Sequence, residues 1–436
     1  MYISKYLSQK QPSIIRLAQT KFQERQDNVK AINVAIGNVS LPMHPAMQRR
    51  LFSLNAKDSP FKNGVVKYSS SEGLIETRKA FLNIIASSGL NIDSLKVQIT
   101  GGASLAIELC VLGLSGNKKN PILIFDPIYT TYKYMAERLG RFIVSIPREL
   151  NDQGIYVMPS IAKIEKYIRK YKPSGILVIP YDNPTGQFIS KNQFKDIARL
   201  CVKYDIWLIS DEAYRELYYV QGKVSSVWGI NDNGVPGIEG KRISIESASK
   251  VWNACGLRVG AIVSDSDYFM RKINAEYTIY VCTNVIGQYV FGALANESKN
   301  DLNIWYKKQR EYYADIIKKV GRDISSNIPG VVVSRPKAAI YLVVDFSNIT
   351  NVNFSAYDFA MYCAEEGSIL LGDNAYTLLV SPIAPFYKDK VSKNSKVHKQ
   401  IRISCVETKE NMKKVPILIR ELFNNYKSAY EERYRR

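Results

Sequence analysis

The sequence predicts an α/β fold: a large domain whose mostly parallel sheet is sandwiched by helices, joined to a smaller α+β domain. Three observations carry that expectation. Between residues 96 and 214 short apolar runs alternate with helical stretches: KVQIT, ILIFDP and GILVIP each lead through a turn into a helix-like segment, and IWLIS follows. Such alternation is the pattern of parallel sheets. From about residue 303 the order changes to a long polar helix followed by clustered strands. With 436 residues and 46% hydrophobic content, the chain is long enough for two domains. The expected division is 1–48 as an arm that contributes to the small domain, 49–302 as the large domain, and 303–436 as the rest of the small domain.

Composition excludes several functions. The formal charge is +20, but Lys and Arg are spread along the chain apart from KDKVSKNSKVHK at 388–399. That cluster lacks the interleaved aromatics of single-strand binders and reads as a mobile loop, so no nucleic-acid partner is expected. His44 and His398 are the only histidines, which removes most metal sites and Ser/His/Asp schemes. The six cysteines form no CxxC pair, so neither a zinc site nor a disulfide framework is expected. No signal-like start and no membrane-length apolar run is visible, and a cytoplasmic protein without a membrane partner is expected.

In chain order, residues 13–26 read as an amphipathic helix and 32–36 as a strand ending at Gly37, where backbone can approach a ligand closely. Pro42 and Pro45 precede a helix at 46–54, and a turn at 69–73, just after Tyr68, opens a helix reaching residue 85. KVQITGGAS joins a strand to an apolar helix beginning near Ser104. Its amides at Gly102, Ala103 and Ser104 either face an anion or form a plain turn with Ser104 as N-cap. The strand-bearing stretches ILIFDP (122–127), GILVIPYDNPTG (175–186) and IWLISDEAY (206–214) alternate with helices at 132–139 and 191–203. Beyond residue 303 come a helix at 303–320, strands at 331–334 and 339–346, a helix at 357–366, an irregular stretch at 372–388, a strand at 401–405 and a charged last helix.

Several residues sit where open α/β sheets bind ligands, at the carboxyl ends of strands. The strand at 242–245 runs on into Ser247, Ser249 and Lys250, with Arg258 eight residues further. Lys250 reads as an electrophile-capturing amine or as a surface lysine. Asn183 and Asp211 follow two apolar strands; Asp211 is either a rim carboxylate that needs a cationic partner or a helix N-cap. Tyr129 and Tyr132 are core aromatics or a stacking platform. Arg402 lies inside an apolar strand pattern, and a buried arginine wants a carboxylate from the protein or from a substrate.

Together TGGAS, DPIYTTY, DNPTG, SDEAY, SASK with GLRVG, and IRIS stand in the order and approximate spacing of pyridoxal-phosphate-dependent aminotransferases of fold type I, class I/II. The chain resembles them from about residue 30 to its end, and its Ala-Cys-Gly run before Arg258 is similar to a bacterial aspartate-aminotransferase-like branch. The resemblance implies pyridoxal 5′-phosphate as cofactor, with Lys250 as its Schiff-base lysine and proton shuttle. It further implies Asp211 against the pyridine nitrogen, Asn183 and Tyr214 at the phenolic oxygen, and Tyr129 on the ring face. Gly102, Ala103, Ser104, Ser247 and Arg258 would hold the phosphate, together with Tyr68 from the other subunit of a homodimer, and Ser249 would also belong to the cofactor site. Arg402, beside Gly37 and Asn183, would grip the substrate α-carboxylate.

The activity so implied is ping-pong amino transfer between an L-amino acid and a 2-oxo acid, with aspartate and 2-oxoglutarate first and an aromatic or other neutral donor second. A carbon–sulfur β-lyase with the same cofactor and a non-catalytic binding protein on this fold are the other readings. Two departures bear on specificity. The stretch EYTIYVCTN at 276–284 lacks the cation that reads a second carboxylate in aspartate aminotransferases, leaving Arg16, Lys21 or the basic loop as candidates. Ala338-Ala339-Ile340-Tyr341 replaces the usual Gly-Ala-Phe-Tyr on the pocket wall.

Overall fold

The structure is a computed structural model that describes every residue except 223, 390, 393 and 436, with side chains described through residue 429. In chain order its strands are β1 (Lys30–Asn33), β2 (Lys96–Thr100), β3 (Ile122–Asp126), β4 (Ile143–Pro147), β5 (Gly175–Val178), β6 (Trp207–Asp211) and β7 (Arg242–Ser247). They continue with β8 (Gly260–Ser264), β9 (Val332–Val333), β10 (Tyr341–Asp345), β11 (Ile369–Leu371), β12 (Asn374–Leu379), β13 (Ser381–Pro382) and β14 (Gln400–Ser404).

One sheet has the order β2-β8-β7-β6-β5-β3-β4. From β7 to β4 neighbours run parallel, while β8 is antiparallel to both β7 and β2, so β2 points the same way as β7. Continuous apolar runs build this sheet because both of its faces are covered. Ile122 and Ile124 of β3 pack with Ile107 and Cys110 of helix Ala103–Leu114, whereas Leu123 and Phe125 belong to the core on the other face, with Phe81 of helix Ile75–Ser87 and Phe194 of helix Lys191–Lys203. The α/β sandwich expected from the alternation is therefore present.

Two smaller sheets follow, β1-β12-β11 and β13-β14-β10-β9. β1 pairs in parallel with β12, so the start of the chain shares a sheet with its last third. Residues 372–388 are not irregular throughout, as they hold β12 and β13; only the end of β12 is buried, which leaves its apolar pattern too short to read. The polar helix is longer than the apolar spacing indicates, Lys299–Asn327, because Ser298 caps it by accepting from the Asp301 amide. Helix Ala103–Leu114 starts at Gly102, at φ +83, and not with Ser104 as its cap. Strands β4 and β8 and helices Ile161–Tyr171, Asp267–Tyr277 and Val285–Gly292 complete the large sheet and its cover. Among the described residues no helix is long and apolar enough to cross a membrane.

Candidate active site

The carboxyl ends of β2, β3, β5, β6 and β7 meet β14 and the start of β10 around a cavity of about 300 Å³. All the site residues expected from the sequence line it except Gly102 and Tyr68. Gly102 lies directly behind the lining, and Tyr68 is 82% exposed and away from it.

Asp211 ends β6 and is buried. One of its oxygens accepts from the Tyr132 hydroxyl at 2.8 Å and the other from the Ala213 amide at 3.1 Å. Loss of water pushes its carboxyl up to about 6, against the lowering effect of those two hydrogen bonds. No cation pairs with it among the described residues, and no helix starts there, so it is not an N-cap. Tyr132 is a core residue that supports Asp211, while Tyr129 lines the cavity.

A second corner lies where β2 passes into helix Ala103–Leu114. A Cβ added to Gly102 would fall 2.5 Å from Arg258 Nη2, so only glycine lets the guanidinium sit over the helix start. Arg258 itself holds φ +53 and donates to the Cys255 carbonyl at 3.0 Å. No side chain caps the first amides of that helix, and Ser247 and Ser249, linked by a 3.0 Å bond from the Ser249 amide to Ser247 Oγ, stand opposite. Free amides, hydroxyls and a guanidinium make an anion-binding corner.

The third side comes from the small sheets. Arg402 is buried on β14, where its guanidinium lies 4.4 Å from the Tyr341 ring and 4.8 Å from that of Phe386. It donates to Asn183 Oδ1 at 3.0 Å and to the Ala35 carbonyl, while its Nε has no partner. The protein thus gives this arginine neutral acceptors and no carboxylate among the described residues. Lys250 Nζ donates to the Gly37 carbonyl at 2.5 Å, and a Cβ on Gly37 would strike the Tyr341 hydroxyl at 2.4 Å. Tyr214 bonds that same hydroxyl at 2.6 Å.

Sequence reasoning passed over Phe386, the Tyr214–Tyr341 pair and Arg148. Phe386 lies in the stretch read as irregular, and nothing local marks it. Arg148 follows β4 and donates to the carbonyls of Phe125, Asp126 and Pro127 while pairing with Asp182 at 2.7 Å, which ties the turn bearing Tyr129 to the turn bearing Asn183.

The family model described as aminotransferase class I and II matches residues 32–415. An aspartate aminotransferase of Sulfurisphaera tokodaii is 25% identical over 352 residues, 79% of this chain and 82% of its own. A probable aspartate/prephenate aminotransferase of Aquifex aeolicus is 24% identical over 294 residues, 66% of this chain and 70% of its own. A solved Thermus thermophilus aspartate aminotransferase mutant shares the fold, with a TM-score of 0.78 at 19% identity over 97% of this chain and 100% of its own. The chain belongs to the class I and II aminotransferases. It is an amino-acid aminotransferase, and the cofactor of its family is pyridoxal 5′-phosphate.

Proposed function

We propose that this chain moves an amino group between an L-amino acid and a 2-oxo acid, with aspartate and 2-oxoglutarate as the first pair. The observation that carries the reading is Asp211, a buried carboxylate without a cationic partner among the described residues, in one cavity with the amine of Lys250 and the guanidiniums of Arg258 and Arg402. That set suits pyridoxal 5′-phosphate. A protonated ring nitrogen is the cation Asp211 lacks, and a phosphate suits the corner of Gly102, Ala103, Ser104, Ser247, Ser249 and Arg258. Asn183 and Tyr214 would take the phenolic oxygen and Tyr129 the ring face. Tyr68 would reach the phosphate from the other subunit of a homodimer. Bound there, the cofactor supplies a sink for the electrons released when a Cα–H bond breaks.

The residues then divide the work. Arg402, with an unpartnered Nε and only neutral acceptors, gives the substrate α-carboxylate a planar grip beside Gly37, which fixes the direction of the Cα–H bond. Lys250, held by the Gly37 carbonyl on that side of the cavity, removes and returns the Cα proton. Asp211 stays ionised by facing a cation and keeps that cation protonated. The cysteines among the described residues are all free, which suits a reducing, cytoplasmic setting.

Lys250→Ala tests the reading. The purified variant, incubated with the cofactor and assayed for oxo-acid formation, is expected to lose at least about 10²-fold in turnover, the scale of a positioned base. Multiple turnovers at the wild-type rate would remove Lys250 from its role.

A further inference from the structure

Among the described residues four cationic side chains and one carboxylate line the cavity: Arg16, Lys250, Arg258 and Arg402 against Asp211. The proposed function occupies Lys250, Arg258 and Arg402, and leaves Arg16 without an assignment. Arg16 stands exposed on helix Ile14–Gln23, at the mouth of the cavity. Its Nη1 donates to Gln19 at 2.9 Å, a neutral neighbour on the same helix, and no carboxylate pairs with it among the described residues. Among the described residues the other cations that could serve are engaged elsewhere, and Lys390 and Lys393 of the basic loop lie outside the described residues. Lys21 pairs with Glu24 at 2.9 Å; Lys388 and Lys396 of the basic loop pair with Asp389 and Asp152; Lys399 donates to the Thr350 carbonyl. None of these four lines the cavity.

The helix that carries Arg16 is held in register with the α-carboxylate side of the site. Its Ala18, Ile15 and Phe22 pack with Ala35, Ile36, Ala364 and Leu379. Ala35 is also the residue whose carbonyl accepts from Arg402, and Gly37, two residues on, receives Lys250. One short segment therefore sets the buried guanidinium and, through the helix packed on it, the guanidinium at the mouth. Two cations along one cavity match a substrate with two carboxylates.

We propose that Arg16 reads the second carboxylate of a dicarboxylic substrate, on the side chain of the amino donor and of its oxo-acid counterpart. The inference rests on the aminotransferase reading above and names the residue that selects within it. Arg402 holds the carboxylate common to all amino acids, and Arg16 holds the one that only aspartate-like and glutamate-like substrates carry. Because Arg16 lies at the mouth, its bond forms with a group that leaves water only in part, so its contribution is that of one charge-assisted hydrogen-bonded pair.

The test uses the holoenzyme and Arg16→Gln, with the amino-donor half-reaction followed spectroscopically for aspartate and for alanine. The expected result is a 10- to 100-fold fall in the ratio of kcat/KM for aspartate to that for alanine, about what one charged hydrogen bond is worth. Arg16→Lys should restore part of that ratio. Succinate, a dicarboxylate that cannot react, should lose affinity in Arg16→Gln relative to propionate by the same order. A ratio within about twofold of wild type, with succinate binding unaltered, would overturn the role of Arg16 while leaving the proposed function standing. A wild-type holoenzyme that converts neither donor would overturn both.

Discussion

Asp211 bears an electrostatic cost that its own protein does not relieve. Burial raises its carboxyl to about 6 although Tyr132 and Ala213 both hydrogen-bond the ionised form. In the unfolded chain the group titrates near its ordinary 3.8. Between those values the folded state holds a proton that the unfolded state has lost, so the Asp211 contribution to stability is full below about pH 3.8 and declines as pH rises towards 6. The span corresponds to about 3 kcal/mol. Asp211→Asn keeps the acceptor for Tyr132 and removes the titration. In the cofactor-free protein this variant should gain stability relative to wild type as pH rises from about 4 to 6, with the difference level above that. Denaturant midpoints at about pH 3.5 and about pH 8, either side of the window, measure it; a difference that does not change with pH would refute the assignment. In the loaded protein the order should reverse, since the cofactor nitrogen then meets no carboxylate.

Arg148 does at the level of elements what Asp211 does for one atom. It is buried, as is Asp182, and its five-donor fork reaches three carbonyls at the end of β3 and the carboxylate that follows β5, which Thr185 also holds at 2.6 Å. Burial still raises Asp182, so desolvation outweighs the pairing and the value of the pair lies in placement. Arg148→Met should cost about 3–5 kcal/mol in urea unfolding, because it strands a buried carboxylate. Adding Asp182→Asn should recover part of that loss; strictly additive losses would mean that the two residues do not act as a pair. A tie of this kind is where the sequence is least readable. ILIFDP, GILVIP and WLIS announce strands because both faces of the sheet are covered, and the turns after them announce a site because strand ends point there. By contrast, β8 begins at a glycine, a residue depleted in strands, and β12 is half-exposed over its first residues. Arg402 was readable as a buried cation, but its neutral acceptors Ala35 and Asn183 come from distant parts of the chain. Partners brought together by folding leave no mark in local spacing.

At the scale of the whole molecule, of the two expected site residues that do not line the cavity, Gly102 lies directly behind it and Tyr68 stands away from it. Tyr68 is 82% exposed, beside Val65 and Val66 at 52% and 54%, and Ile279 and Tyr280 form another exposed apolar stretch next to Val281. Val281 is β-branched and held at φ +62, a conformation that costs about 1–3 kcal/mol unless surroundings enforce it. A second copy of the chain laid over these segments would bury the apolar residues, hold Val281 in place and bring Tyr68 to the neighbouring cavity. In such a dimer each site draws Lys250 from one subunit and Tyr68 from the other. Co-expressing Lys250→Ala with Tyr68→Ala chains distinguishes this from a tyrosine acting within its own chain. Half of randomly paired dimers are hybrids, and each hybrid has one site with both residues intact, so roughly a quarter of wild-type sites should return. The measurement is transamination at limiting cofactor, where loss of a phosphate contact is most visible. Activity no higher than the mean of the two parent variants would place Tyr68 outside the partner's site.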